Sequence, residues 1–191
     1  PVLLFGGPYS NLQATRAVLQ KARDHGATPI CTGDVVAYCG RPADTVALVR
    51  AAGCAVVAGN CEKQLAVGAA DCGCGFDAGS ACDLLSAGWF GFAHAQIRED
   101  NRTWMATLPD VIRFCHNGAR YGVIHGGVID VARFLWPSSP MSAFQSEWAA
   151  LESKVGPFDH IVAGHSGIPF VAKVNAGRWI IAGVVWLPRH D

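Results

Sequence analysis

The apolar positions of this chain alternate between two spacings from its first residues onward. Val2 to Phe5 is an unbroken apolar run of strand length. Leu12, Ala14, Ala17, Val18 and Ala22 then recur at helical spacing across residues 11–23. Ser10 or Asn11 is placed to cap that helix and Gly26 to stop it. Pro29-Ile30-Cys31 predicts a second strand, and a helix follows from Pro42, a residue suited to the first helical position, to Gly53. Cys54 to Val57 predicts a third strand, and residues 61–108 read as mainly helical, interrupted by glycines. Further on, Arg120 to Ile124 and His160 to Ala163 predict strands. Ser142 to Lys154 predicts an amphipathic helix with Phe144, Trp148 and Leu151 along one face. Phe170 to Val174 and Trp179 to Val185 predict a hairpin around Asn175-Ala176-Gly177.

The ends of these strands carry the chemistry. Three close on an apolar-Gly-polar triplet, Thr32-Gly33-Asp34, Ala58-Gly59-Asn60 and Ala163-Gly164-His165, and a fourth on Ile124-His125-Gly126. Glycine after a strand permits a sharp turn and close backbone approach. In α/β folds, ligands bind outside the carboxyl ends of the strands. Taken singly, Asp34 and Asn60 read as turn or cap residues and each histidine as a satisfied strand-end residue. Together, Asp34, Asn60, His125 and His165 supply two oxygens and two imidazole nitrogens to one place. Such a set suits Mn, Fe or Zn, so a shared metal or phosphate site is expected there.

Composition narrows the class. The 191 residues fit one α/β domain spanning 1–191. Fifteen Lys and Arg balance fifteen Asp and Glu, which speaks against a protein that tracks a nucleic-acid backbone. With 51% hydrophobic residues the chain has a core to bury, and disorder is excluded. No run of eighteen apolar residues occurs, so no spanning helix and no membrane association are expected. No export signal is visible, and eight cysteines then argue for reduced thiols in a cytoplasm. Cys31, Cys54 and Cys115 lie in strand-like apolar runs, where Cys serves as a small core residue. Cys72-Gly-Cys74 with Cys82 lacks paired C-x-x-C spacing and reads as buried or half-buried thiols. Trp148 and Trp179 are read as packing residues, and no tryptophan is assigned to the site.

The motifs, taken in order, resemble those of the calcineurin-like metallophosphoesterases, in the small bacterial-type phosphodiesterase branch. Gly33-Asp34-Val35-Val36-Ala37-Tyr38-Cys39-Gly40-Arg41-Pro42 resembles the family's GDxVGYGxxP. Gly59-Asn60-Cys61-Glu62 resembles GNH[DE], His125-Gly126-Gly127 resembles HG, and Gly164-His165-Ser166-Gly167-Ile168-Pro169 resembles GHTHxP. The resemblance covers nearly the whole chain. It implies a four-layer α-β-β-α sandwich, a hydrolase acting on a small phosphate ester or nucleotide, and two metals bridged by an aspartate.

Three of the departures touch one of those metals. Where the family has D-x-H-G-N, this chain has Gly7-Pro8-Tyr9-Ser10-Asn11, and Gly167 stands in place of the second histidine of GHTH. By the resemblance the first metal keeps only its bridging residue, Asp34, whereas the second keeps Asp34, Asn60, His125 and His165. One ion is therefore expected rather than two, with weakened or altered activity. Cys61 replaces the family's leaving-group histidine and reads either as a proton donor or as a small wall residue. Tyr9 either donates to a phosphate oxygen or fills the vacated metal volume. Asn11, Tyr9 and Cys61 are the candidates to assist substrate. Asp130 or His94 is a candidate replacement ligand.

The alternative is a module that keeps the fold, binds a nucleotide or anion and has lost catalysis. Glu62 is read as orienting a neighbouring ligand or simply opening its helix, where a carboxylate suits the dipole. The segment Ala182-Gly183-Val184-Val185-Trp186-Leu187-Pro188 resembles the family's N-[PA]-G-[SV]-x-G-x-P, with Ile181 at the position of the Asn. The chain stops at Asp191, so either the family's last strand is absent, leaving a sheet edge that a homo-oligomer would cover, or the given sequence is shortened.

Overall fold

A computed structural model describes residues 1–185. Helices and strands alternate as β1 (Val2–Phe5), α1 (Leu12–Asp24), β2 (Thr28–Cys31), α2 (Pro42–Ala51) and β3 (Ala55–Val56). Three helices follow, α3 (Asn60–Ala66), α4 (Ala81–Gln96) and α5 (Glu99–Ala106). The second half holds β4 (Ile112–His116), β5 (Ala119–Val123), α6 (Met141–Val155), β6 (His160–Ala163), β7 (Phe170–Val174) and β8 (Gly177–Ile181).

The strands form two sheets. The first is wholly parallel in the order β1-β2-β3, as short strands joined by helical crossovers require. The second has the order β4-β5-β6-β8-β7, parallel across β5-β6-β8 and antiparallel at both edges. Ile30 and Val57 of the first sheet meet Val123 and Val162 of the second in a dry seam. On its other face the first sheet packs through Phe5, Cys31 and Val56 onto Leu19, Val46, Leu65 and Phe90 of the helices. The second sheet packs through Ile161 and Trp179 onto Phe144, Trp148 and Leu151 of α6. Two helical layers thus enclose two sheets, the expected α-β-β-α sandwich.

Most elements follow the periodicity, and the differences have local causes. Asn11 caps α1 through Oδ1, which accepts from the Ala14 N–H at 3.0 Å. The strand-like run around Cys115 is β4, but Arg113 and Cys115 face solvent, so it is a half-exposed strand and not a buried one. Cys115 is therefore not a core residue, whereas Cys31 is buried and Cys54 half-buried. Strand β8 ends at Ile181 rather than Val185 because Gly183 turns the chain with φ +71°. Part of the Ala182–Pro188 resemblance, from Trp186 on, lies outside the described residues. No helix among the described residues is long and apolar enough to cross a membrane.

Trp179 is fully buried, with Phe144 edge-on at 5.6 Å, and its indole N–H has no partner among the described residues. Trp179→Ala is expected to cost about 3–5 kcal/mol in urea denaturation. Trp179→Phe should cost less than half of that, because the nitrogen it removes makes no hydrogen bond.

Candidate metal centre

Asp34 lies just beyond β2 with a left-handed backbone, φ +54°, and a buried carboxylate. A non-glycine residue in that conformation needs its surroundings to hold it. Glu62, fully buried in the first turn of α3, provides that support. Its Oε2 accepts from the backbone N–H groups of Asp34 and Gly59, both at 2.9 Å, and its Oε1 from that of Val35 at 2.8 Å. Gly59 has to be glycine, since a Cβ there would sit 2.7 Å from Glu62 Oε2 and 2.8 Å from Asp34 Oδ1. Burial, and then the Asp34 charge, push the Glu62 pKa up to about 7. Burial also works against the charge of Asp34, but the neighbouring His125 and His165 hold its pKa well below the usual carboxylate range.

His125 follows β5 and His165 follows β6, neighbouring parallel strands that deliver both rings to one spot. The His125 Nδ1–H donates to the Thr32 carbonyl at 2.6 Å, which leaves the Nε2 lone pair pointing inward. Around Nε2 stand Asn60 Oδ1 at 3.1 Å, His165 Nδ1 at 3.1 Å and Asp34 Oδ2 at 3.3 Å. Asp34 Oδ2 lies 3.8 Å from His165 Nδ1. The Asn60 amide is oriented by its Nδ2–H, which donates to the Cys72 carbonyl at 2.8 Å and the Cys74 sulfur at 3.2 Å. Asp34 Oδ1 and His165 Nε2 are buried without a hydrogen-bond partner among the described residues.

Four lone-pair atoms facing one another repel unless a cation lies among them. Ligands held at roughly 2.1 Å from one ion stand about 3.0–3.4 Å apart, close to the separations here. The residues present therefore fit a divalent cation, and their hard oxygen and imidazole donors suit Mn, Fe or Zn. Burial lowers the His125 pKa, but the Asp34 carboxylate outweighs it, and the net result is an imidazole raised to about 9. A proton on that ring meets the same electrostatic demand that a metal would.

The four residues expected at the strand ends thus converge. Tyr9 is buried, and its backbone N–H donates to the Asp34 carbonyl at 3.1 Å. Its ring lies against Gly7, where a Cβ would meet the Tyr9 ring at 2.9 Å and would run into Val184. Burial, and then the Asp34 charge, raise the Tyr9 pKa, so the hydroxyl stays protonated and able to donate. Cys61 is buried beside Asn60, and its hydrogen bond to Cys74, with its burial, keeps it a thiol. Hydrogen bonds from the Cys61 and Cys72 thiols bring the Cys74 pKa down to about 4. Cys72 and Cys74 are buried with their sulfurs 2.6 Å apart, while Cys82 is exposed. Asn11 spends its side-chain oxygen on the α1 cap. Asp130 and His94 lie outside the Asp34–His125–His165 cluster.

The fold and site invite comparison with known proteins. No protein-family model and no curated protein matches the chain. Among solved structures, a metallophosphoesterase from Sphaerobacter thermophilus is 20% identical and superposes with a TM-score of 0.67, over 98% of this chain and 78% of that one. A hypothetical protein from Pyrococcus horikoshii is 15% identical with a TM-score of 0.74, over 96% of this chain and 76% of that one. YfcE, a phosphoesterase from E. coli, is 18% identical with a TM-score of 0.51, over 98% and 81%. The chain has the calcineurin-like phosphoesterase fold. Within this phosphoesterase fold, the Asp34 cluster lies at the strand ends.

Several residues around the centre were not legible beforehand. Thr32 acts through its backbone carbonyl, which no sequence pattern marks. Glu147 of α6 is fully buried and accepts from the N–H groups of Val128 and Ile129 and from Arg133, fixing the loop after His125. Its signal was a carboxylate close to the apolar face of an amphipathic helix. Phe134 and Trp136 flank the buried Leu135 beside His165; an aromatic pair outside any periodic element was the available clue.

Glu62→Gln keeps the shape of the side chain but replaces one acceptor oxygen with a donor. It should lower stability by about 1–3 kcal/mol, read from denaturant melts. It should also weaken Mn²⁺ binding about 10- to 100-fold in a calorimetric titration, since it frees the Asp34 backbone.

Proposed function

We propose that this protein is a metal-dependent phosphoesterase acting on a small phosphate ester through one divalent ion, Mn, Fe or Zn. Asp34, Asn60, His125 and His165 would hold that ion. The observation that carries the reading is the buried convergence of Asp34 Oδ2, Asn60 Oδ1, His125 Nε2 and His165 Nδ1, with two further polar atoms left unpartnered. Support for a single ion comes from the first-metal positions, where a side chain on Gly7 would meet the Tyr9 ring and Val184.

A bound divalent ion supplies charge to polarise a phosphoryl oxygen and to make a water more acidic. The chain's own groups do the rest. Thr32 fixes the His125 tautomer, and Cys72 and Cys74 fix the Asn60 amide. The protonated Tyr9 hydroxyl, which lines the same pocket as His165, would donate to a phosphoryl oxygen on the side where the family resemblance implies a second ion. Cys61, held as a neutral thiol, brings no positive charge to the leaving oxygen and walls the site. Asn11 fixes the Tyr9 loop by capping α1. With one ion, half of the usual clamp on the attacking and leaving oxygens is missing, so turnover should be slow.

The test measures bound metal and turnover together. Elemental analysis after loading with Mn, Fe or Zn should give one ion per chain, and close to none in Asp34→Ala. Hydrolysis of bis(p-nitrophenyl) phosphate and p-nitrophenyl phosphate should be metal-dependent and lost at least 100-fold in Asp34→Ala. Metal binding with no turnover above that variant would instead support an anion-binding module.

A further inference from the structure

One of the four donors, His165, also lines a pocket of about 520 Å³ that is walled by aromatic rings. His165 belongs to both, since Nδ1 faces the donor cluster while the Phe134 ring covers the imidazole at 4.1 Å between centroids. Phe134 in turn runs parallel to Trp136, 3° between planes and 5.5 Å between centroids, and Phe76 lies 28° from Phe134. Tyr9 and Tyr38, edge-to-face at 4.8 Å, also line the pocket.

The row of rings is held in place rather than loosely exposed. Leu135, between Phe134 and Trp136, is buried; its N–H donates to Ser166 Oγ at 3.1 Å, and its carbonyl accepts from the same hydroxyl at 2.6 Å. The Trp136 N–H donates to Ser139 Oγ at 2.9 Å. These bonds tie the aromatic wall to the residue next to His165, so wall and metal donors keep one geometry. They also occupy the Ser166 hydroxyl, so the hydroxyls left to the pocket are those of Tyr9 and Tyr38. No lysine, arginine, aspartate or glutamate lines it among the described residues.

We propose that this pocket receives the alcohol part of the phosphate ester, and that this part is a flat, uncharged aromatic ring system stacked on the Phe134–Trp136 wall. The inference rests on the phosphoesterase reading, because it takes the phosphate to lie at the metal centre. Stacking is the interaction such a wall offers: every flat ring has a face to match it, whereas an extra charge would lose water there without an opposite charge to meet it. The size suits a single ring system beside one phosphate. An aryl group and a nucleobase share this chemistry, and the test separates them.

The probes are nonhydrolysable phosphonates, titrated calorimetrically into the Mn²⁺-loaded protein. Phenylphosphonate should bind at least about fivefold more tightly than methylphosphonate. 4-Carboxyphenylphosphonate should lose most of that advantage, because its second charge enters an uncharged pocket. 5′-Deoxyadenosine 5′-methylphosphonate binding above phenylphosphonate assigns a nucleobase, and the reverse order assigns an aryl ester. Trp136→Leu keeps apolar area but removes the ring, and should cut the phenyl-to-methyl ratio at least threefold; Trp136→Phe should retain it. Equal binding of phenyl- and methylphosphonate, or a ratio indifferent to Trp136→Leu, overturns the proposal. If neither phosphonate binds, the phosphate reading fails instead. The pocket is then read without phosphate or metal, by ¹⁹F line broadening of 4-fluorophenol. Broadening that Trp136→Leu abolishes upholds the aromatic site, and no broadening in either protein overturns it.

Discussion

Three backbone N–H groups converge on the Glu62 carboxylate, and the geometry of the centre follows from that contact. It fixes Asp34 in a left-handed conformation that costs of order 1 kcal/mol and that the chain would otherwise relax. It also draws the end of β3 against the end of β2, because Gly59 is bonded to the same oxygen as Asp34. Asn60, one residue on, then has little freedom in where its side chain points. A buried carboxylate is costly, and here the cost is offset by three donors that would themselves be unsatisfied without it. With the Asp34 loop fixed, the loop carrying Tyr9 is fixed as well: Gly7, Tyr9 and Ser10 donate in turn to the carbonyls of Gly33, Asp34 and Val35.

The second sheet contributes by register rather than by a comparable anchor. β5 and β6 are parallel and pair Val123 with Val162, so the residues just past each strand emerge side by side. That is why His125 and His165 meet although forty positions separate them. The two halves of the site are joined at few points. The His125 bond to the Thr32 carbonyl crosses from one sheet to the other, and so does an isolated bridge between Gly6 and Val184. The metal-donor set therefore spans the seam between the sheets, and a cation there would add an electrostatic link across it.

How much of this was readable beforehand divides along a physical line. Strands and helices whose apolar faces are regular, such as β1, α1 and α6, follow from spacing alone, and so do the four donors, because each sits directly after a strand-ending glycine or begins one. β4 followed only as a strand-like run around Cys115, without bounds and with the wrong burial, since an edge strand half exposed to solvent carries Arg113, Cys115 and His116 where a buried strand would carry apolar residues. Glu62 was legible as a helix-opening carboxylate with a second reading, and only three-dimensional proximity shows that Asp34 and Val35 share it. Thr32 and Cys72 act through backbone carbonyls, which leave no trace in residue identity.

Gly7, Tyr9 and Gly167 form one arrangement. Gly7 has φ +45°, and a side chain there would collide with both Val184 and the Tyr9 ring, so an aspartate at 7 and a tyrosine at 9 exclude each other in this backbone. Tyr9 in turn packs edge-on to Tyr38, and both face the pocket that Gly167 helps to line. A side chain at 167 would also meet an unfavourable backbone, since φ there is +77°. Ring surface and the space beside it fill this side of the donor cluster. Lys63, Asp110, Asp130 and Lys154 line the pocket on the His125 side, whereas on the Tyr9 side of the donor cluster the pocket lining is aromatic and carries no Lys, Arg, Asp or Glu among the described residues. What that side retains is one hydroxyl, buried and protonated, which can donate a hydrogen bond but cannot replace a cation's charge.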